Sequence, residues 1–121
     1  MNKIIINICS PTHYTTHNDI VYNIEPKYDD DSIFTINLPS WKSRYIFNDY
    51  SIDCVYFFRV TNFKYIRDDL LNYMPKIKKG GYMCGIGYDT IQYPDVVLAI
   101  NDVIGIPDII FPDNKWVYRI V

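Results

Sequence analysis

At 121 residues, 49% hydrophobic and 21% charged, the chain suits one compact domain with a real core, and 17% aromatics, twelve of them Tyr, exclude a disordered chain. A net charge of −2 and a pI near 5.5 give no general electrostatic pull towards nucleic acid. The opening MNKIIINICS is too short and too quickly broken by polar residues for a signal peptide or a membrane span. The acidic residues are almost all Asp, and Ile, Asn, Tyr and Lys are plentiful. That bias suits an AT-rich genome, such as a parasite's or a large DNA virus's.

In chain order, Lys3 to Cys9 is β-branched and nearly continuous, as a strand buried on both faces should be. Ser10 to Asp19 opens with Ser-Pro and is polar, so a loop is predicted. Ile20 to Ile24 reads as a second strand closed by Glu25-Pro26, Lys27 to Asp31 as an acidic turn, and Ser32 to Asn37 as a third strand. Pro39 to Asn48 is irregular or holds one helical turn.

From Ser51 to Tyr88 the pattern is strand, amphipathic helix, Gly-Gly turn, strand: one right-handed βαβ unit around which the chain is organised. Ile52 to Phe58 is the strand. Phe63, Ile66, Leu70, Leu71, Met74 and Ile77 form a stripe at helical spacing. Thr61 or Asn62 is the expected cap, Pro75 should trim or kink the last turn, and Gly80-Gly81 should end the helix. Tyr82 to Ile86 is the next strand. Pro94 opens a second helix through Val96, Val97, Ile100, Val103 and Ile104, ending at Gly105. Asp108 to Phe111 and Lys115 to Val121 flank Pro112-Asp113-Asn114 as an antiparallel hairpin. The expected order is β-β-β-β-α-β-α-β-β in a single domain over residues 1–121, an α/β sheet mostly parallel at its centre.

The segment IDCVYFF…YIRDDLLNYMPKIKKGGYMCGIGYD resembles the carboxyl-terminal half of class I S-adenosylmethionine-dependent methyltransferases. It looks closest to a sugar or small-molecule branch with D-x-V-Y-I-D-G-D-H-x-Y-x-Y-v-x-x-D-L and then L-K-P-G-G-x-x-x-G-H-D-Y. The resemblance implies a minimal Rossmann-like methyltransferase sheet with a reversed last strand and two main helices on one face. It also matches Glu25, ending the second strand, to the acid that holds the cofactor ribose.

The departures set the functional expectation. Phe58-Arg59-Val60-Thr61 stands where the family has D-G-D-H, so the carboxylate and imidazole are missing, and Ile86-Gly87-Tyr88 stands in place of H-D-Y. The turn after the first strand, Asn7-Ile8-Cys9-Ser10-Pro11, has no glycine to let backbone amides approach a cofactor, and Pro11 has no amide hydrogen. The expectation is therefore a non-catalytic methyltransferase-like protein, with no catalytic residue, no cofactor and Glu25 as a vestige. The alternatives are a minimal methyltransferase using Glu25, Tyr88 and Asp89, or a nucleotide or sugar module near Ser10, Glu25 and Arg59.

Helices after the fourth and fifth strands of this fold share one face, while the strands are apolar in both phases. A helix-free apolar face implies a homodimer or a protein partner packed there, with no nucleic acid or membrane involved.

Other candidates have plainer readings. His13 and His17, near Cys9, lie in a polar loop where solvent exposure outweighs zinc binding. Asp29, Asp30 and Asp31 lack calcium-loop spacing and read as a solvated turn. Asp68 and Asp69 are expected to favour the helix dipole, and Lys76, Lys78 and Lys79 to mark a solvated helix end. Trp41 and Trp116 read as core or interface. Cys9, Cys54 and Cys84 adjoin apolar runs as buried free thiols, which suits a cytoplasmic, reducing setting, including that of a viral protein in a host cell.

Overall fold

A computed structural model describes residues 3–10, 20–25, 35–36 and 38–121. The chain forms β1 (Ile4–Ile8), β2 (Ile20–Ile24), β3 (Thr35–Ile36), α1 (Ser40–Ser43), β4 (Ile52–Phe57), α2 (Phe63–Tyr73), β5 (Ile77–Gly85), α3 (Pro94–Val103), β6 (Ile109–Ile110) and β7 (Trp116–Arg119). These strands make one sheet in the order β3-β2-β1-β4-β5-β7-β6. Pairing is parallel from β3 through β5 and antiparallel at β5–β7 and β6–β7. This is the Rossmann-like α/β layout expected, and its order reverses at the β1–β4 junction, as in doubly wound sheets.

Alternation decides which face is buried. Ile6 and Ile8 of β1, Ile24 of β2, Val55 and Phe57 of β4, Met83 of β5 and Trp116 of β7 form one core with Ile66, Leu70 and Tyr73 of α2 and Val96, Ala99 and Ile100 of α3. Phe57 stacks on Trp116 with ring centroids 6.1 Å apart. Burying such side chains stabilises by about 1.5–3 kcal/mol each, which compensates for fixing the strands. Ser40 of α1 bonds to Asp69 of α2, so the described helices all share this face. The opposite face presents Ile5, Tyr56, Tyr82 and Val117.

Two local expectations are corrected. The first helix ends at Tyr73 and passes through a single 3-10 turn, Met74–Lys76, because Pro75 cannot continue the ladder. Ile77 is consequently the first residue of β5, and Lys78 and Lys79 are strand residues. Gly80-Gly81 lies inside β5, where Ile52 pairs with Ile77 but Cys54 pairs with Tyr82. Lys78 to Gly81 thus bulge opposite Asp53 alone. Gly80 takes φ +81°, and a Cβ on Gly81 would lie 2.7 Å from the Asp53 carbonyl oxygen. Neither Thr61 nor Asn62 caps α2: Asn62 takes φ 72° and makes no side-chain cap bond. The Phe63 N–H donates instead to Asp95 Oδ2 of α3 at 3.1 Å.

The second helix and the hairpin form as expected, with Gly105 (φ +83°) donating to Ile100 O beyond the end of α3. The loop over Pro11 to Asp19, the acidic turn and the first half of the third strand lie outside the described residues.

Gly85 is where backbone and core meet most closely. A Cβ there would sit 2.6 Å from Trp116 Nε1 and 2.7 Å from Phe57 O. Gly85→Ala is expected to cost about 1–3 kcal/mol, lowering the urea midpoint with an unchanged m-value.

Candidate functional site

The strand carboxyl ends beside the order reversal bring Glu25, Arg59, Asp69 and Ser40 together. Glu25 follows β2 at φ 50°, Arg59 follows β4, Asp69 lies midway along α2 and Ser40 opens α1. Arg59 is the hub. Its Nη2 donates to Glu25 Oε2 at 2.6 Å and its Nε to Asp69 Oδ2 at 2.7 Å. The Ser40 hydroxyl donates to Asp69 Oδ1, and the Ser40 N–H donates to Glu25 Oε2 at 3.4 Å. Each acceptor thus joins an element that sequence order keeps apart.

Burial grades these groups. The Asp69 side chain is 3% exposed and that of Arg59 18%, against 37% for Glu25. Burial pushes the Asp69 carboxyl above its ordinary value, while the bonds from Arg59 and Ser40 pull it back. Burial opposes the Arg59 charge, but Asp69 and then Glu25 outweigh it and hold the guanidinium firmly protonated. The expectation that Asp69 serves the helix dipole is therefore corrected: it lies inside the helix, buried, as the partner of a cation.

The four residues floor a cavity of about 530 Å³. Trp41 of α1 and Tyr65 of α2 stand at its sides, each 53% exposed, and Asp68 and Lys64 complete the rim. The Arg59 guanidinium lies 5.8 Å from the Tyr65 ring centroid. Trp41 is thus a surface aromatic of this cavity, whereas Trp116 is core.

Other sequence candidates separate from this cluster. The Tyr88 hydroxyl donates to Asn101 Oδ1 at 2.8 Å. Asp89 accepts from the N–H groups of Ile91 and Gln92 and from Asn114 Nδ2, tying the loop after β5 to the hairpin. Lys76 pairs with Asp49 and Lys78 with Asp53. His13, His17 and Asp29 to Asp31 lie outside the described residues. Among the described residues, no group of three or more His, Cys, Asp or Glu could hold a metal ion, and no helix is long and apolar enough to cross a membrane.

A second concavity of about 530 Å³ opens on the sheet face that carries none of the described helices, lined by Ile5, Val21, Tyr56, Phe58 and Val117 among others. The sequence offers Arg59 as a departure from the family pattern and as a neighbour of Ser10 and Glu25 in a nucleotide or sugar module, but gives no sign of its pairing with Asp69. Their spacing of ten residues across a strand-to-helix turn carries no helical-neighbour signal.

No protein-family model matches the chain, and no curated protein matches it at a significant level.

Arg59→Met is expected to leave Asp69 buried with Ser40 alone and to destabilise by about 3–5 kcal/mol at neutral pH. The Asp69 pKa is raised in the folded state, so the native chain holds this proton more tightly than the unfolded one. The burden of ionising Asp69 is absent below the ordinary carboxylate value of 3.8 and grows as pH rises through its folded pKa. Losing Arg59 widens that window upwards, so denaturation should show the gap between variant and wild type closing as pH falls.

Proposed function

We propose that this chain is a non-catalytic, methyltransferase-like scaffold that acts by self-association or by binding another protein, its cofactor site lost. The antiparallel β7 beside β5 supports the resemblance, whose last strand is reversed. One observation carries the loss of the site: Arg59 lies 2.6 Å from Glu25. The acid matched to the ribose-holding position is engaged by the chain's own cation, supplied from the place where the family has D-G-D-H. With no glycine in Asn7-Ile8-Cys9-Ser10-Pro11, the residues do not fit S-adenosylmethionine. Tyr88 and Asp89, which a minimal methyltransferase would need, are engaged in holding the loop after β5.

Tyr56 and Tyr82, about two-fifths exposed on the face opposite the described helices, support a docking role for that face, as does the apolar concavity beside them. A second copy of the chain is the occupant this reading favours, in a cytoplasmic setting.

A second reading rests on the other cavity. Trp41 and Tyr65 beside carboxylates and a guanidinium form the kind of wall that holds a nucleotide or sugar, by ring stacking and hydroxyl bonding.

Calorimetric titration with S-adenosylmethionine and S-adenosylhomocysteine is expected to give no binding heat, and sedimentation a mass of two chains that Tyr56→Glu reduces to one. Micromolar binding lost in Glu25→Ala would replace the scaffold reading with the enzyme. A melting temperature raised by nucleotides or sugars, unaffected by S-adenosylmethionine, would favour the second reading.

A further inference from the structure

The central strands β4 and β5 carry a feature independent of the charged cluster. Cys54 and Cys84 project from the sheet face opposite the described helices, and their sulfurs lie 3.6 Å apart. Cys54 pairs with Tyr82 in the ladder and Cys84 with Tyr56, so the thiols are diagonal neighbours between two tyrosines. Both are free thiols. Cys84, 8% exposed, lines the concavity on this face, with Tyr56, Phe58 and Phe111 as walls and Lys115 as its cation, and Cys54, the more exposed of the two thiols, lies beside it.

The two sulfurs share a hydrogen bond that couples their protons. Either sulfur can donate in the bond between them; when Cys54 donates, the bond favours the thiolate at Cys84 and holds it below its ordinary value against the pull of burial. The same bond, then burial and the charge on Cys84, push Cys54 far up. An exchange reaction needs this division: one sulfur ready to attack, and a second held protonated until it must resolve the product.

We propose that Cys54 and Cys84 form a thiol–disulfide exchange site that, in the single chain and before a second copy covers this face, admits a small disulfide of the glutathione type through the concavity and closes into a bond joining β4 to β5. The Cys84 thiolate attacks one sulfur of the small disulfide; a new S–S bond forms, the old one breaks, and one small thiolate leaves and takes up a proton. Cys54 then gives up its proton and attacks the Cys84 sulfur, expelling the second small thiolate. The protein loses two electrons and two protons, and the small disulfide is reduced to two thiols. Closing the bond asks the sulfurs to approach by roughly 1.5 Å, to the usual S–S length of about 2.05 Å.

The test treats the whole reduced chain with oxidised glutathione and follows its mass. The expected product is lighter by two hydrogens, retains no glutathione, joins tryptic peptides 45–59 and 80–115, and reverts with dithiothreitol. Cys54→Ser should stall with one glutathione on Cys84, Cys84→Ser should leave Cys54 unmodified, and Cys9→Ser should react as wild type. A stable glutathione adduct on the wild-type chain, modification of Cys9 in place of Cys84, or no reaction at all would overturn the proposal.

Discussion

Burial of one face of the sheet is the constraint on which the rest depends. Alternate residues of β1, and of β4 and β5 beyond the bulge, face α2 and α3, and this single layer holds Ile6, Ile8, Val55, Phe57 and Met83 with essentially no exposure. Period-two alternation leaves the remaining residues no choice of direction. The features of the other side, the tyrosines, the paired thiols and the apolar concavity, follow from that one choice of register.

At the strand ends the governing physics changes from apolar burial to charge pairing. Arg59 can enter a largely buried position because Asp69 and Glu25 meet it from two directions, and Asp69 can be buried because Arg59 and Ser40 satisfy it. Neither charge would be tolerated alone. The pairing also ties the ends of β2 and β4 to α1 and α2, where a doubly wound sheet would otherwise offer an open crevice. A protein that holds its crevice together in this way gains rigidity from the groups that another chain of this layout would turn towards a ligand. That exchange underlies the scaffold reading.

Much of the fold was legible because its signals are periodic. The β-branched runs of β1 and β4, the stripe of α2 and the Pro94–Gly105 bounds of α3 each follow from a spacing of two or of three to four residues. The misplacements arose where a residue type has two uses. Gly80-Gly81 after a helical stripe reads as a helix stop, although glycines serve equally to let a bulge pass a neighbouring strand. Asp69 reads as a dipole partner because sequence gives no sign that an arginine ten residues earlier folds back onto it. The nearness of Cys54 and Cys84 depends on a ladder register shifted by the bulge, and strand register is not written locally. Glu25 was placed correctly at a strand end, but its engagement by Arg59 is a property of the assembled sheet.

The capping of α2 by Asp95 has a consequence for how the molecule comes together. The amino end of α2 lacks a cap of its own and takes its acceptor from the first turn of α3, 32 residues away. Alone, α2 would fray at this end, since Asn62 in a left-handed conformation offers no acceptor to the first free N–H groups. Its opening turn is thus complete only when α3 has docked. The two helices form a cooperative unit, and the Phe63 amide proton should exchange with solvent only as fast as that docking is undone.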